Sequence, residues 1–285
     1  PYQFLQSIFW SKTPEDTLQE LIGLTEVKNL LTQQIAFNKV NHLRKQHGIY
    51  NDTVNHHLVF SGNPGTGKTE VARLYTKILF NNKIIQENKL VEVGRADLIG
   101  EYIGSTAPKV KKVFDDAKGG VLFIDEAYSL IPRHEKDYGH EAIATIIQEM
   151  ENRRDEVLVI FAGYEDLMKE FLDINPGLSS RISREIRFED YSSDELFAII
   201  ELMISRKQYQ LKGDCKHKLY QHLSELERDS YFGNARYVRK LVDHIILYQA
   251  QRVINMEDSQ LTSLENLSLV TLEDIENALE SFGFS

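Results

Sequence analysis

The sequence predicts an α/β domain, built on a parallel sheet with helices on both faces, followed by a small all-helical domain. Three observations carry that reading. Five short apolar runs alternate with helical stretches up to about residue 190. After Tyr191 the strand signals vanish and apolar residues recur only at helical spacing. A glycine-rich loop over 62–69 stands between the first apolar run and a helical stretch. Alternating β and α elements build a parallel sheet, because parallel neighbours need crossovers and the crossover helices cover both faces.

The strands are expected at 57–61, 90–93, 121–124, 157–162 and 185–188. Helices between or before them are expected at 27–44, 68–80, 107–117, 141–152 and 165–172. The later stretches 193–208, 216–228, 235–254 and 272–281 carry apolar residues at i, i+3, i+4 spacing. Thr271 with Asp274 resembles a capping box, and Asn234 suits a helix cap. The domains are therefore placed at 1–190 and 191–285. A chain of 285 residues is long enough for a core without disulfide or metal staples.

Composition excludes several classes. Lys and Arg number 33 against 43 Asp and Glu, a net charge of −10, which disfavours a broad nucleic-acid or anionic-membrane surface. No apolar run approaches the ~18 residues of a membrane span, and no signal peptide is visible at the start. The single cysteine, Cys215, cannot form an internal disulfide, so a reducing, cytoplasmic setting is expected. The sequence begins with Pro1 rather than Met and is read as trimmed or as a piece of a longer chain. Among the nine histidines, His140-Glu141 begins a zinc-binding helix pattern that Ala144 breaks, and His56, His57 and His217 lack partners at ligand spacing. These are read as ordinary surface or edge residues.

Gly62-Asn63-Pro64-Gly65-Thr66-Gly67-Lys68-Thr69 matches the phosphate-loop pattern G-x-x-x-x-G-K-[ST]. Glycines let the backbone wrap closely and aim N–H groups at phosphate oxygens. The next helix presents its positive end to the same anion. Lys68 can reach the β- and γ-phosphates, and the Thr69 hydroxyl can ligate Mg²⁺. A chance glycine turn is the competing explanation; the flanking strand and helix argue against it. The apolar run 121–124 ends in Asp125-Glu126. Acids at the carboxyl end of a buried strand sit where open α/β sheets bind ligands. Asp125 is expected to hold Mg²⁺ through water, and Glu126 to polarise the water that attacks the γ-phosphate. An isolated Asp-Glu pair would be an ordinary helix start; beside a phosphate loop it reads as catalytic.

At this point the chain resembles an AAA+ ATPase, and within that family the CbbX/SpoVK (CfxQ-like) subgroup, over about residues 15–282. The carrying segments are Leu21-Ile22-Gly23-Leu24 with Val27-Lys28, the loop 62–69, Gly100-Glu101-Tyr102-Ile103-Gly104 and Asp125-Glu126-Ala127-Tyr128-Ser129-Leu130. They continue with Phe161-Ala162-Gly163-Tyr164, Asn175-Pro176-Gly177-Leu178 with Ser180-Arg181, and Gly233-Asn234-Ala235-Arg236. The resemblance implies a P-loop NTPase domain with an AAA+ helical lid, and ATP and Mg²⁺ as cofactors. It also implies a homo-oligomeric ring, taken as a hexamer, that remodels or threads a protein substrate.

Each matching position then takes an implied role. Ile22 and Gly23 fall where the family encloses adenine; a helix staple and turn is the plainer reading. Arg181 matches the arginine finger that reaches the γ-phosphate of the neighbouring subunit, and Arg184 is a second candidate. Without the resemblance Arg181, Arg184 and Arg187 are a positive edge. Arg236 matches the lid residue that touches the γ-phosphate of its own subunit, and the lid is implied to swing with nucleotide state. One departure stands out: many relatives place Asn or Thr at the end of the fourth strand to orient the attacking water, and here Gly163-Tyr164 occupies that stretch. The Tyr164 hydroxyl can substitute, or the ring can pack under the sheet edge.

The resemblance assigns Tyr102, Ile103 and Gly104 to a loop that grips a threaded polypeptide. An aromatic offers large, sequence-tolerant contact, and Gly104 gives hinge freedom; packing of Tyr102 and Ile103 onto the local core is the plain alternative. The charged stretch 131–139 reads equally as a second pore loop or a solvated loop. Two other functions compete with protein remodelling: a nucleic-acid loader or motor, and a module whose nucleotide only sets assembly state. No basic residue lies between Arg95 and Lys109, around the gripping loop, which disfavours the first. The full set Lys68, Asp125, Glu126 and Arg181 argues against the second.

Overall fold

A strand with apolar side chains on both faces can lie only inside a sheet covered on both sides, and that constraint sets the architecture. The computed structural model describes residues 12–49, 57–134, 137–174, 176–256 and 264–282. Five strands, β1 (His57–Gly62), β2 (Leu90–Val93), β3 (Val121–Ile124), β4 (Leu158–Gly163) and β5 (Ile182–Phe188), form one sheet in the order β2-β3-β4-β1-β5. Every pair is parallel. Alternate side chains feed two separate cores. Val59, Leu122, Ile124, Val159 and Phe161 enter one. Leu58, Phe60, Val121, Phe123, Leu158, Ile160 and Ala162 enter the other.

The helices, in chain order, are α1 (Pro14–Glu20), α2 (Thr25–Gln46), α3 (Lys68–Asn81), α4 (Arg95–Leu98), α5 (Thr106–Asp116), α6 (Gly139–Asn152), α7 (Glu165–Asp173) and α8 (Pro176–Ser179). They continue as α9 (Ser193–Arg206), α10 (Gly213–Glu225), α11 (Ala235–Ile254), α12 (Leu264–Ser268) and α13 (Leu272–Phe282). One face of the sheet is covered by Val110 and Phe114 of α5, Ile143 and Ile146 of α6, and Met168 and Phe171 of α7. The other is covered by Leu18 of α1, Leu31 of α2, and Val71, Tyr75 and Ile78 of α3. Among the described residues no helix is long and apolar enough to cross a membrane.

Four local differences from expectation have physical reasons. β5 begins at Ile182, three residues before the expected start, because it is an edge strand. Its alternation carries exposed Ser183, Glu185 and Arg187, which an apolar run does not show. Helix α1 escapes an apolar-periodicity search, but Thr13 and Asp16 cap it reciprocally with Pro14 at its first position. The C-terminal region is helical with one addition, a two-residue parallel ladder between β6 (Gln210–Leu211) and β7 (Leu269–Val270), too short to leave a period-two signal. His57 is buried rather than on the surface; its Nδ1 accepts from the Val159 N–H at 3.0 Å. His56 lies outside the described residues.

The described residues form two compact units. The first runs to Gly62 and resumes from Gly67 to Phe188; the second takes Asn63–Thr66 together with the chain from Glu189 onward. Within the second unit, Arg252 of α11 bonds Asp274 of α13 through Nε and Nη2 at 2.8–3.1 Å. The two side chains are only 18% and 2% exposed. Asp274 also accepts from the Thr271 N–H at 2.9 Å, which is half of the expected capping box. The other half is not made, for Thr271 Oγ1 is buried without a hydrogen-bond partner among the described residues. Arg252→Met strips a buried carboxylate of its charged partner. It should cost about 3 kcal/mol, read as a lower thermal midpoint for the C-terminal unit. An unchanged midpoint would show that the pair contributes nothing.

Candidate functional site

The phosphate-loop residues are held by two different sets of contacts. In the first unit, Gly67 is left-handed (φ 97°) and caps α3 without a side chain. No side chain therefore competes for the first N–H groups of the helix, which is the arrangement an anion site uses. The Lys68 ammonium donates to the Gly62 carbonyl at 2.7 Å, which keeps its head within the loop. Thr69 follows, half-buried in the first turn of α3.

In the second unit, the loop tip is tied to the segment preceding α11. Asp190 accepts from Asn63 Nδ2 at 3.0 Å and from Asn234 Nδ2 at 2.6 Å. Asn234 Nδ2 also donates to the Phe232 and Pro64 carbonyls, and its Oδ1 accepts from the Tyr191 N–H at 2.9 Å. The Tyr191 hydroxyl donates to the Thr66 carbonyl at 3.2 Å. Burial pushes that phenol up to about 12, so it stays a donor. Ala235 N–H donates to the Gly65 carbonyl. A Cβ on Gly65, whose φ is +72°, would lie 2.2 Å from the Gly233 carbonyl oxygen, so only glycine fits. Asn234 thus stands at the cap position of α11, as expected, but its side chain makes no capping bond there. Arg236 is exposed one residue into that helix.

The acidic pair follows β3. Asp125 is half-buried; its N–H donates to the Val93 carbonyl and its Oδ1 accepts from the Glu126 N–H at 3.0 Å. Glu126 is exposed and left-handed (φ 49°), an unusual backbone for a glutamate, and it turns the chain into a short 3₁₀ helix, Ala127–Leu130. Strand order places β4 between β1 and β3. The loop after β1 and the acids after β3 are therefore two strand spacings apart, about 10 Å, with the end of β4 between them.

That end is crowded. Gly163 pairs with Ser61 of β1. A Cβ on Gly163 would meet Tyr128 Cδ1 at 2.7 Å, Tyr128 Cε1 at 2.9 Å and Met168 Sδ at 2.7 Å. The Tyr128 ring lies 5.6 Å from the Tyr164 ring, centroid to centroid. Burial first, then Glu126, Tyr164 and Asp125, push the Tyr128 phenol well above the usual tyrosine range. Tyr164 itself begins α7 in extended conformation.

The remaining candidates are placed as follows. Arg181 pairs with Glu151 at 2.9 Å and donates to the Gly177 carbonyl; its Nε is buried without a hydrogen-bond partner among the described residues. Arg184 bonds Gln33 at 3.2 Å and shares its strand face with Ile186 and Phe188, opposite to Arg187, which pairs with Glu165. Arg181, ahead of the strand, and Arg184 are not brought together. Ile22 and Gly23 sit half-buried in the turn between α1 and α2, where Gly23 and Leu24 are both left-handed. Tyr102 and Ile103 are 73% and 89% exposed, so they do not pack onto the local core. Ser105 Oγ pins their turn by donating to the Tyr102 carbonyl at 2.6 Å, and Gly104 has φ +80°. Asn175 and residues 135–136 lie outside the described residues.

Sequence reasoning gave no role to Arg95, which bonds the Ser129 carbonyl and, at 2.7 Å, Asp137. Burial would raise the Asp137 carboxyl, but Arg95 and the Arg133 and Gly139 N–H groups, all of which it accepts from, hold it below its ordinary value. Arg133, Asp137 and Gly139 of that stretch are therefore tied down. Nothing in the sequence pattern marks Arg95, because its partners lie 34 and 42 residues away.

Two family profiles match the chain. One, described as ATPase family associated with various cellular activities (AAA), covers residues 58–190. The other, described as AAA lid domain, covers 192–282. A chloroplastic ribulose bisphosphate carboxylase/oxygenase activase of Cyanidioschyzon merolae is 42% identical over 262 residues, 92% of this chain and 89% of that protein. Protein CbbX of Cereibacter sphaeroides is 42% identical over 262 residues, 92% of this chain and 84% of its own. A CfxQ homolog of Guillardia theta is 43% identical over 256 residues, covering 90% and 86%.

Gly163→Ala should lower stability by about 2 kcal/mol, because the new methyl needs Tyr128 and Met168 to move apart. A thermal midpoint equal to that of the parent would show that the space is not tight.

Proposed function

This chain belongs to the AAA ATPases and resembles their CfxQ/CbbX members at 42% identity; it hydrolyses ATP, and on that premise we propose that it acts as a ring, a hexamer, which remodels a protein substrate through a central pore. The observation that carries the remodelling part is the Tyr102-Ile103 turn. Two large apolar side chains stand almost fully in solvent on a turn pinned by Ser105. A folded domain gains nothing from that arrangement alone, whereas a moving grip on polypeptide needs it.

The donor set fits Mg²⁺–ATP. The glycine cradle at Gly65 leaves no room for a side chain, and a hydroxyl and a carboxylate, Thr69 and Asp125, suit a hard cation that keeps several waters. Bound Mg²⁺ would neutralise charge on the β- and γ-phosphate oxygens. Lys68 would exchange the Gly62 carbonyl for phosphate oxygen. Glu126 would take the proton from water as the water oxygen bonds the γ-phosphorus and the bond to the ADP oxygen breaks. Ile22 and Gly23 would border the adenine, and Arg236 would report the γ-phosphate from the lid, residues 191–285.

Arg181 would act on the nucleotide of the adjacent subunit. Its pairing with Glu151 does not prevent this, since Glu151 is half exposed and such a pair is worth only about 0–1 kcal/mol. Arg184, tied to Gln33 on the other side of the strand, is the lesser candidate. Arg95 links the turn after Glu126 to the start of α4, which leads into the gripping loop, so a shift at the acids has a route to Tyr102. The named activity of the Cyanidioschyzon relative points to a folded enzyme as the class of substrate. A reducing, cytoplasmic setting suits buried Cys215. The net charge of −10 argues against a nucleic-acid substrate.

ATP turnover per protomer should rise with protein concentration as subunits assemble. Arg181→Ala should reduce it by at least about 100-fold while ATP binding persists. A concentration-independent rate that Arg181→Ala leaves intact would remove both ring and arginine finger. Turnover stimulated by polynucleotide would favour a nucleic-acid motor instead.

A further inference from the structure

A glutamate base on an exposed, left-handed residue needs a fixed partner if its carboxylate is to hold water in line with phosphorus. β4, which ends between the phosphate loop and Glu126, supplies no such partner at Gly163, where even a methyl would crowd Tyr128 and Met168. The obstruction is itself informative. It is the ring of Tyr128, two residues beyond Glu126 on the same 3₁₀ turn, together with Met168 Sδ on the other side. The ring is wedged between Gly163 and the Tyr164 ring, so its direction is set by packing on two sides. The ring stands on the turn that follows Glu126, and burial first, then Glu126, Tyr164 and Asp125, push its phenol upward.

We infer that Tyr128 is the positioning residue of the hydrolytic site: its hydroxyl orients Glu126 and the attacking water, a task that the end of β4 cannot perform in this chain. The inference rests on Glu126 as the base. It assigns the smallest residue at 163 and the tyrosine at 128 to one device, in which the glycine makes room for the ring and the ring carries the hydroxyl. Tyr164, which begins α7 with its ring against that of Tyr128, buttresses the device rather than replacing it.

Tyr128→Phe keeps the ring on Gly163 and removes only the hydroxyl. We expect kcat for ATP to fall roughly 10- to 100-fold, with the affinity for ATP and the thermal midpoint unchanged. A purely structural role would move the midpoint and leave kcat alone. In a Glu126→Asp background, where the carboxylate is withdrawn from the hydroxyl, the further loss from Tyr128→Phe should be much smaller than in the parent. Parent-like kcat in Tyr128→Phe would overturn the inference, as would a larger loss from Tyr164→Phe than from Tyr128→Phe, or full additivity with Glu126→Asp. A Glu126→Gln variant measured alongside separates the two readings. Normal turnover in it would overturn the base assignment and this inference with it. An inactive Glu126→Gln beside a fully active Tyr128→Phe would overturn this inference alone.

Discussion

The parallel pairing of β4 with β1 on one side and β3 on the other is the constraint on which the site depends. It fixes the phosphate loop and the acidic pair at the same edge of the sheet, two strands apart, and puts the backbone of Gly163 between them. The register is not free to slip. A one-residue shift would exchange Val159 and Phe161 with Leu158 and Ile160 between two different cores, and each core is already filled by helices. Burial of both sheet faces therefore holds the polar loop and the acidic pair at a separation that their own interactions could not maintain.

The loop tip shows a second use of packing. Asn63–Thr66 groups with the helical C-terminal unit through Asp190, Tyr191 and the segment Gly233-Asn234-Ala235. Asn234 is fully buried, and its bonds replace a helix cap with a tie between two backbones far apart in sequence. The Gly65 backbone approaches Gly233 and Ala235 so closely that the glycine serves this contact as well as any phosphate. A residue that a motif assigns to ligand binding thus also has a structural duty.

Charged side chains fall into two energetic groups. Arg252–Asp274 and Arg95–Asp137 each include a carboxylate almost removed from water, with several donors, and are costly to break. In Arg181–Glu151 and Arg187–Glu165 the carboxylate is more exposed, and such an ion pair contributes less. The first group fixes the fold and the loops. The second leaves arginines near the edge of the sheet able to change partners.

The sequence by itself determined the parallel sheet, its five strands and the helical C-terminal region, because burial on both faces and helical periodicity are written in consecutive residues. It determined the phosphate loop and Asp125-Glu126 for the same reason, since their chemistry needs fixed spacings along the chain. It placed Tyr128 beside the acids without giving it a task. The tertiary structure alone decided what lies between those motifs: that the Tyr128 ring fills the place of a side chain at 163, that Arg95 reaches Ser129 and Asp137, that Arg184 and Arg187 face opposite sides of an edge strand, and that Asn234 ties the loop tip rather than capping α11. The physical reason is common to all four. Each depends on contacts between residues that strand pairing and helix packing bring together, and no local pattern along the chain encodes which distant backbone a side chain will meet.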